Sequence, residues 1–181
     1  AVGSYNTRDC WPTPATDSGS FCVPAGFENL GEASSFSCPG PTRSGARKPD
    51  LLAPGFTVVS ALSAQLDPAV RAQAGVLITP DGAHWIEVGT SMACPHVTGA
   101  VALLLEQEPT LGPEEVRERL HRSADRDSLP GQVYNGRWGY GTLNVARLLN
   151  PGAAGPGPAL LAHPWPNPAA GLAEEAMQWK A

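Results

Sequence analysis

The hydrophobic pattern along the chain is strongest between residues 91 and 106. Its apolar positions cover nearly the whole circumference of a helix: Met92, Ala93, Cys94, Val97, Ala100, Val101, Leu103, Leu104 and Leu105. A helix that is apolar on all sides is typical of the middle of a structure. Pro95 has no backbone N–H and is tolerated in the first helical turn, so we expect the helix to begin close to Ser91.

Two more helices are predicted after this one. Pro113 and two glutamates open a segment in which Val116, Leu120 and Ala124 recur every four residues, the spacing of one helix face. The sequence WGYGTLNVARLL, residues 138–149, predicts a glycine-rich turn that leads into a short helix.

The strand patterns lie upstream of these helices. The opening AVGSYNT is typical of the end of a strand, and residues 34–55 are rich in glycine and proline, which predicts loops around one short strand. FTVVSAL, residues 56–62, has the β-branched content of a strand. GVLITPDGAHWIEV, residues 75–88, predicts a hairpin with its turn at Asp81-Gly82.

Composition excludes some classes of function. The 181 residues carry a formal net charge of −5 with no basic run, which argues against a nucleic-acid partner. The longest apolar run, residues 97–105, is too short to cross a bilayer. The chain begins without methionine or a signal-peptide pattern, and its last residues give no evident stop to the fold. We interpret it as a piece of a longer polypeptide, with a processed mature form as the alternative.

The four cysteines allow three disulfide pairings, and sequence alone does not choose between them. Cys10 and Cys22 bracket a segment rich in proline, serine and glycine that a disulfide could close into a rigid loop, as an oxidising compartment would allow. The alternative is four small buried thiols, which is the interpretation we favour for Cys94 on its apolar helix.

Ser91 is the candidate for chemistry. A serine hydroxyl becomes a nucleophile when a base removes its proton and donors hold the oxyanion that forms. The free N–H groups at a helix N-terminus are such donors, and Gly89 would let a substrate backbone come close. The alternative is structural, because serine in this position is commonly the N-cap of a helix.

The residues around Ser91 resemble the nucleophile motif of the subtilisin-like serine proteases, the subtilases. In GTSMACPHVTGAVALLL the resemblance runs through Gly89, Thr90, Ser91, Met92, Ala93, Pro95, His96, Val97 and Gly99. The G-x-S-x-G elbow of α/β-hydrolases is absent, because the position two after Ser91 is Ala93. SFSCPGPTRSGARKPDLLAPG, EPTLGPEEVRERLHRSA and GYGTLNVARLL are similar to other segments of the same family, in the same order. Val88 and Cys94 are small departures from the motif.

The resemblance implies a three-layer α/β subtilisin-like fold with a mostly parallel sheet, of which residues 1–149 are the C-terminal half. It implies that Ser91 attacks a peptide carbonyl to form an acyl-enzyme, with its own N–H as one oxyanion donor. Gly89, Thr90, Met92, Pro95 and His96 would support this motif. The substrate would be a protein or peptide, and no cofactor or metal is expected.

In this family the chain order is Asp, His, then Ser, so the Asp, the His and the oxyanion Asn would lie upstream of Ala1. His96 follows Ser91 by five residues, points about 140° away on a helix, and is a packing residue in the family. His84 is expected near an exposed turn, His121 on an outer helix and His163 in the tail. A metal site of His84, Cys94 and His96 has no recognised ligand spacing.

Asp50 and Asp81 lie in turn-like contexts, where backbone hydrogen bonding would explain them.

Because the Asp, the His and the oxyanion Asn are expected upstream of Ala1, we expect the isolated chain to be inactive. We also expect it to aggregate or stay partly unfolded, because a parallel sheet needs both of its faces covered.

Residues 150–181 hold six prolines and four glycines and predict a linker or the start of a C-terminal module. LLAHPWPNPAAG, residues 160–171, loosely resembles the opening of sorting or Ig-like modules on secreted bacterial proteins. The parent is therefore expected to be secreted or held in the cell envelope, and to be a monomer. Two alternatives remain for its function: a catalytically dead subtilase-fold binding module, and an acyl hydrolase that is not a protease.

Overall fold

The computed structural model describes residues 1–126 and 134–152. The strands in this part of the chain are β1 (Val2–Asn6), β2 (Cys10–Pro12), β3 (Ser20–Cys22), β4 (Leu51–Phe56), β5 (Val58–Ala61) and β6 (His84–Glu87). The helices are α1 (Pro68–Gln73), α2 (Thr90–Gln107), α3 (Pro113–Ser123) and α4 (Val145–Leu149), with a 3₁₀ turn at Gly75–Leu77. The predicted module at residues 160–171 lies outside the described residues.

The strands form three pairs of different kinds. β1 and β4 are parallel, with Ser4 opposite Ala53, and they form the centre of the structure. β2 pairs with β3 and β5 pairs with β6, both antiparallel. Between β4 and β5 stands Thr57 with φ of 57°, a left-handed conformation that is rare for a β-branched residue. This turn directs β5 into a different sheet from β4.

Alternating residues of β4 face two layers. Leu51 and Ala53 pack with the buried face of α2, and Leu120 and Leu148 from the two later helices complete this cluster. The intervening Leu52 faces the opposite side, where it packs with Tyr5 and Ala33. The period of two along a strand thus places helices on one face of the parallel pair and loops on the other.

Helix α2 departs from the prediction in its burial. Its buried residues are Ala93, Val97, Ala100 and Leu104, which lie on one face, whereas Leu103 is 47% exposed. The expectation of a helix enclosed on all sides is therefore wrong for this chain. The helix starts at Thr90 as expected, but Pro95 is in its second turn, where no N–H is available for the carbonyl of Ser91.

The segment before β6 is only partly the predicted hairpin. Its turn is at Asp81-Gly82, where Gly82 donates to the carbonyl of Thr79 at 3.0 Å. The first predicted strand is instead the 3₁₀ turn, and a single bridge between Ile78 and Trp85 remains of the pairing. The true partner of β6 is β5, because the run GVLI is too short to distinguish a strand from a helical turn.

The disulfide between Cys10 and Cys22 is confirmed and joins the opposed residues of β2 and β3. Trp11 in this hairpin packs against Phe21 and donates its indole N–H to the carbonyl of Val76 at 2.7 Å. Cys38 and Cys94 are free and exposed, so the expectation of a buried Cys94 is wrong. No helix in the described ranges has the length and apolar character to span a membrane.

Candidate active site around Ser91

Ser91 is exposed at the second residue of α2. The N-cap is Gly89, which has no side chain to cap the helix, so Ser91 is not the N-cap serine of the structural alternative. Within the described residues the Ser91 hydroxyl makes no hydrogen bond. Its backbone N–H belongs to the first turn, where helix N–H groups have no intrahelical acceptor. Ser91 therefore presents a free hydroxyl beside a free amide.

Two glycines set the backbone that leads into Ser91. Gly89 has φ of 147°, in the half of conformational space where residues with a Cβ are strained. Its N–H donates to the carbonyl of Gly55 at 2.7 Å, which ties the start of α2 to the end of β4. A Cβ on Gly55 would lie 2.7 Å from the carbonyl oxygen of Gly89 and would overlap the hydroxyl of Ser4. Only glycine fits this approach.

Ser91 opens onto a shallow cleft of about 300 Å³. Strand β5 forms one wall and the first two turns of α2 form the other, with these lining residues: Val58, Ser60, Ser91, Met92, Pro95 and His96. Met92, Pro95 and His96 of the expected motif are thus brought together with Ser91. The cleft is mostly apolar, and its polar groups are hydroxyls and one imidazole.

His96 lines the same cleft as Ser91 but, among the described residues, makes no hydrogen bond to the Ser91 hydroxyl. Its Nδ1 lies 2.8 Å from the carbonyl oxygen of Met92, one turn earlier in the same helix. The ring is exposed, so the expectation that His96 is a packing residue is not met in this chain. His163 lies outside the described residues.

His121 is paired with a carboxylate, but this pair lies at the end of β4 that is far from Ser91. Its Nε2 lies 3.1 Å from Oδ1 of Asp50, and its ring stacks on Tyr140 with centroids 3.8 Å apart. Asp50 precedes β4, whereas Gly55 contacts the Ser91 loop near the other end of that strand. Five residues of extended chain separate the two points by about 17 Å. This His–Asp pair is therefore too far from Ser91 to act as its base, and its role is structural.

The pKa values of Asp50 and His121 are both lowered, for different reasons. Burial raises the pKa of Asp50, but hydrogen bonds and charges from Lys48 and the Ala1 ammonium outweigh it and hold that pKa at about 2. For His121, burial lowers the pKa, and the opposing hydrogen bond and charge of Asp50 do not restore it. The interpretation of Asp50 as a backbone-bonded turn residue is therefore wrong, since its carboxylate accepts from the Ala1 ammonium, Lys48 and the His121 ring.

Asp81 and His84 form a separate exposed pair at the β6 turn. The carboxylate of Asp81 accepts from Thr79 at 2.6 Å and from the N–H of Ala83 at 2.9 Å, as its turn position predicts. Burial raises the pKa of Asp81, but these bonds and His84 hold it at about 2. Across residues 1–126 and 134–152, no three His, Cys, Asp or Glu side chains are grouped to hold a metal ion.

Sequence reasoning missed the buried polar residues behind the site. Ser4, Asn6 and Ser34 are fully buried and hydrogen-bonded to one another, and Ser4 contacts the strand end that carries Gly55. No pattern identifies them in advance, because serine and asparagine in a glycine-rich stretch are usually turn residues. Their partners are about 30 residues apart in sequence.

The chain is similar in sequence to proteins of one known family. The sequence model described as the Subtilase family matches residues 1–141. Serine protease AprX of Bacillus subtilis is 38% identical over 94 residues, which make up 51% of this chain and 20% of AprX. Subtilisin-like protease SBT1.6 of Arabidopsis thaliana is 34% identical over 116 residues, 58% of this chain and 14% of that protein.

A solved structure agrees with these relatives. Fervidolysin from Fervidobacterium pennivorans, a keratinolytic enzyme related to subtilisin, aligns with a TM-score of 0.50 and 29% identity. The alignment covers 71% of this chain and 17% of fervidolysin, so the chain spans a fifth or less of these three proteins. The predicted α/β subtilisin-like fold is confirmed. Because the family match takes in most of the sequence, the chain belongs to the Subtilase family.

Proposed function

We propose that the protein containing this chain is a serine endopeptidase with Ser91 as its nucleophile. The observation that carries the proposal is the free hydroxyl of Ser91 beside its free N–H, at the helix start and inside the family motif. The base removes the hydroxyl proton as the Ser91 oxygen attacks a peptide carbonyl, and the Ser91 N–H stabilises the oxyanion. The amine then leaves with a proton from the base, and water hydrolyses the acyl-enzyme to release the acid and restore Ser91.

The base comes from outside the described residues. Within them, His96 makes no hydrogen bond to the Ser91 hydroxyl, and His121 pairs with Asp50 at the far end of β4. We infer that an Asp, a His and an oxyanion Asn are supplied by a preceding segment of the same protein, and that residues 1–181 alone do not hydrolyse peptides. Substrates are proteins or peptides.

The test is hydrolysis of casein by the complete protein and by its Ser91→Ala variant. The variant should lose turnover on the order of a millionfold, the size known for subtilisin, a member of the same family. Ser44→Ala is the control, because Ser44 is exposed in the turn at residues 42–46. A fluorophosphonate probe should label the parent and the control but not Ser91→Ala. Full casein hydrolysis by Ser91→Ala would refute the proposal.

The alternative is a catalytically dead subtilase-fold binding module. The coding sequence upstream of Ala1 separates the two. An Asp-x-Gly motif, a His-Gly motif and an Asn in that order support the protease. Replacement of any of the three supports the binding module.

We further propose that the parent is a monomer that is secreted or held in the cell envelope. The Cys10–Cys22 disulfide supports this location, because such bonds persist in oxidising compartments. Cell fractionation with an antibody against the chain tests it, and recovery with the cytoplasmic fraction would contradict it. Sedimentation of the purified parent tests the monomer.

A further inference from the structure

A chain of buried polar side chains runs behind the parallel strands. The hydroxyls of Ser4 and Ser34 are 2.7 Å apart, and Ser34 donates to Oδ1 of Asn6 at 2.6 Å. Because the Ser34 proton is used by Asn6, Ser4 must donate to Ser34. All three residues are at most 1% exposed. We call Ser4, Ser34 and Asn6 the serine–asparagine chain.

The backbone of Ser4 is fixed from the same side. Its N–H donates to Oγ of Ser37 at 3.0 Å, and its carbonyl accepts from the N–H of Ser34 at 2.9 Å. Ser4 therefore uses its N–H, its C=O and its hydroxyl on the segment 34–37. Buried polar groups that are all satisfied hold one arrangement, because any shift leaves a group unpaired away from water.

The other side of Ser4 contacts the strand end that leads to the nucleophile. The Ser4 hydroxyl and Cβ fill the space where a side chain on Gly55 would lie. Gly55 in turn accepts the N–H of Gly89, the N-cap of α2. Two contacts thus connect Ser4 with the residue that sets the first turn of α2, and this turn carries the N–H and hydroxyl of Ser91.

We propose that Ser4 and Ser34 are positioning residues for Ser91. They act through Gly55 and Gly89 and touch no substrate, and the proposal rests on the proposed peptidase function. When the serine–asparagine chain is broken, Gly55 and Gly89 move and the Ser91 N–H shifts from the oxyanion. Misplacement of reacting groups by about 1 Å can cost on the order of a hundredfold in rate. The effect should fall on kcat, because the oxyanion that the Ser91 N–H stabilises forms only in the transition state.

The experiment measures kcat and KM of the complete protein with a peptide substrate. Ser4→Ala and Ser34→Ala should each lower kcat about tenfold, with KM unchanged within twofold. Ser123→Ala is the matched control, because this buried serine donates to the carbonyl of Leu120 in α3, away from Gly55. Unchanged kcat in both test variants, or an equal fall in the control, would overturn the proposal.

A second readout does not depend on activity. Hydrogen exchange of the Gly89 amide reports its bond to Gly55 directly, and it should become about tenfold faster in Ser4→Ala and stay unchanged in Ser123→Ala. Unchanged exchange in Ser4→Ala overturns the positioning proposal even if the enzyme is active. If the parent hydrolyses nothing, the peptidase function fails, and exchange at Gly89 still decides whether Ser4 positions the helix start.

Discussion

Gly55 lies near the end of β4, where it contacts Gly89 just before Ser91. Its Cα also faces the side chain of Ser4. In Gly55→Ala the new methyl group would lie 2.7 Å from the carbonyl oxygen of Gly89 and overlap Ser4, so the backbone must move. We expect labelling of Ser91 by a fluorophosphonate to slow at least tenfold in the complete protein. Overpacking should also lower the free energy of unfolding by about 1–3 kcal/mol.

Gly112→Ala is the matched control for this substitution. Gly112 precedes α3, and a Cβ there would meet only the flexible Oε2 of Glu115, at 3.4 Å. Labelling of Ser91 should change less than twofold in this variant. Equal labelling rates for Gly55→Ala and the parent would mean that the contact between β4 and Gly89 does not determine the position of Ser91.

His121 gives the fold a pH dependence of a defined sign. Burial lowers its pKa below the ordinary value of about 6.5, so the unfolded chain binds the proton more tightly than the folded one. The contribution of neutral His121 to the free energy of unfolding is therefore complete above pH 6.5. It is lost as the pH falls through the pKa that His121 has in the folded protein. Urea unfolding of the complete protein between pH 8 and pH 5 should show decreasing stability.

His121→Gln is the variant that isolates this contribution. Glutamine can still donate to Asp50 but does not titrate, so its stability should depend less on pH in the same range. Asp50, whose pKa Lys48 lowers below the ordinary value against the effect of burial, titrates in a separate and more acidic window. If the two proteins have the same slope between pH 8 and pH 5, another group carries the dependence.

At the scale of elements, α4 depends on one side chain. The oxygen of Asn144 accepts the N–H of Arg147 at 2.8 Å as the N-cap, and its amide donates to both oxygens of Asp125 at 3.0 and 2.9 Å. Asn144→Ala should cost about 2–3 kcal/mol in urea unfolding, since a cap and charged hydrogen bonds are lost.

The stronger test is Asn144→Asp. Asp and Asn are equivalent caps in general, but here the second carboxylate would face Asp125. The variant should therefore be at least as unstable as Asn144→Ala at pH 7 and recover near pH 4. Asp67→Asn, at the exposed cap of α1, is the control and should change stability by less than about 0.5 kcal/mol. Unchanged stability of Asn144→Asp at pH 7 would contradict this prediction and would mean that the Arg147 guanidinium, 2.9 Å from Asp125, neutralises the added charge.

Elements with strong start and stop signals were predictable from sequence. Helix α3 has proline, acidic residues and a regular apolar spacing, and the structure places it at Pro113–Ser123 as expected. Helix α1 carries the same kind of signal in Asp67-Pro68, which the hydrophobic pattern alone did not detect. At the candidate site, the motif predicts Ser91 as the nucleophile, whereas Gly55 and Ser4 depend on a contact between distant strands that no local pattern contains.

At the scale of the whole molecule, exposed apolar surface predicts how residues 1–181 behave alone. Leu103 on α2 is 47% exposed and Val88 is 50% exposed, while the described parallel sheet consists of the β1–β4 pair. We expect the isolated chain to aggregate or to lack fixed packing, with weak near-UV circular dichroism and strong binding of a hydrophobic dye. A sharp two-state melt with native near-UV signal would contradict this.

Two adjacent leucines test whether exposed apolar surface causes the isolated chain to aggregate. Leu103 is exposed, whereas its neighbour Leu104 is fully buried among Leu51 and the other core residues. Leu103→Gln should raise the soluble fraction of the isolated chain, because it removes apolar surface from water without opening the core. Leu104→Gln buries an unpaired amide and should lower that fraction. If both variants lower it, the outer face of α2 is already packed in solution, and aggregation must come from elsewhere in the chain.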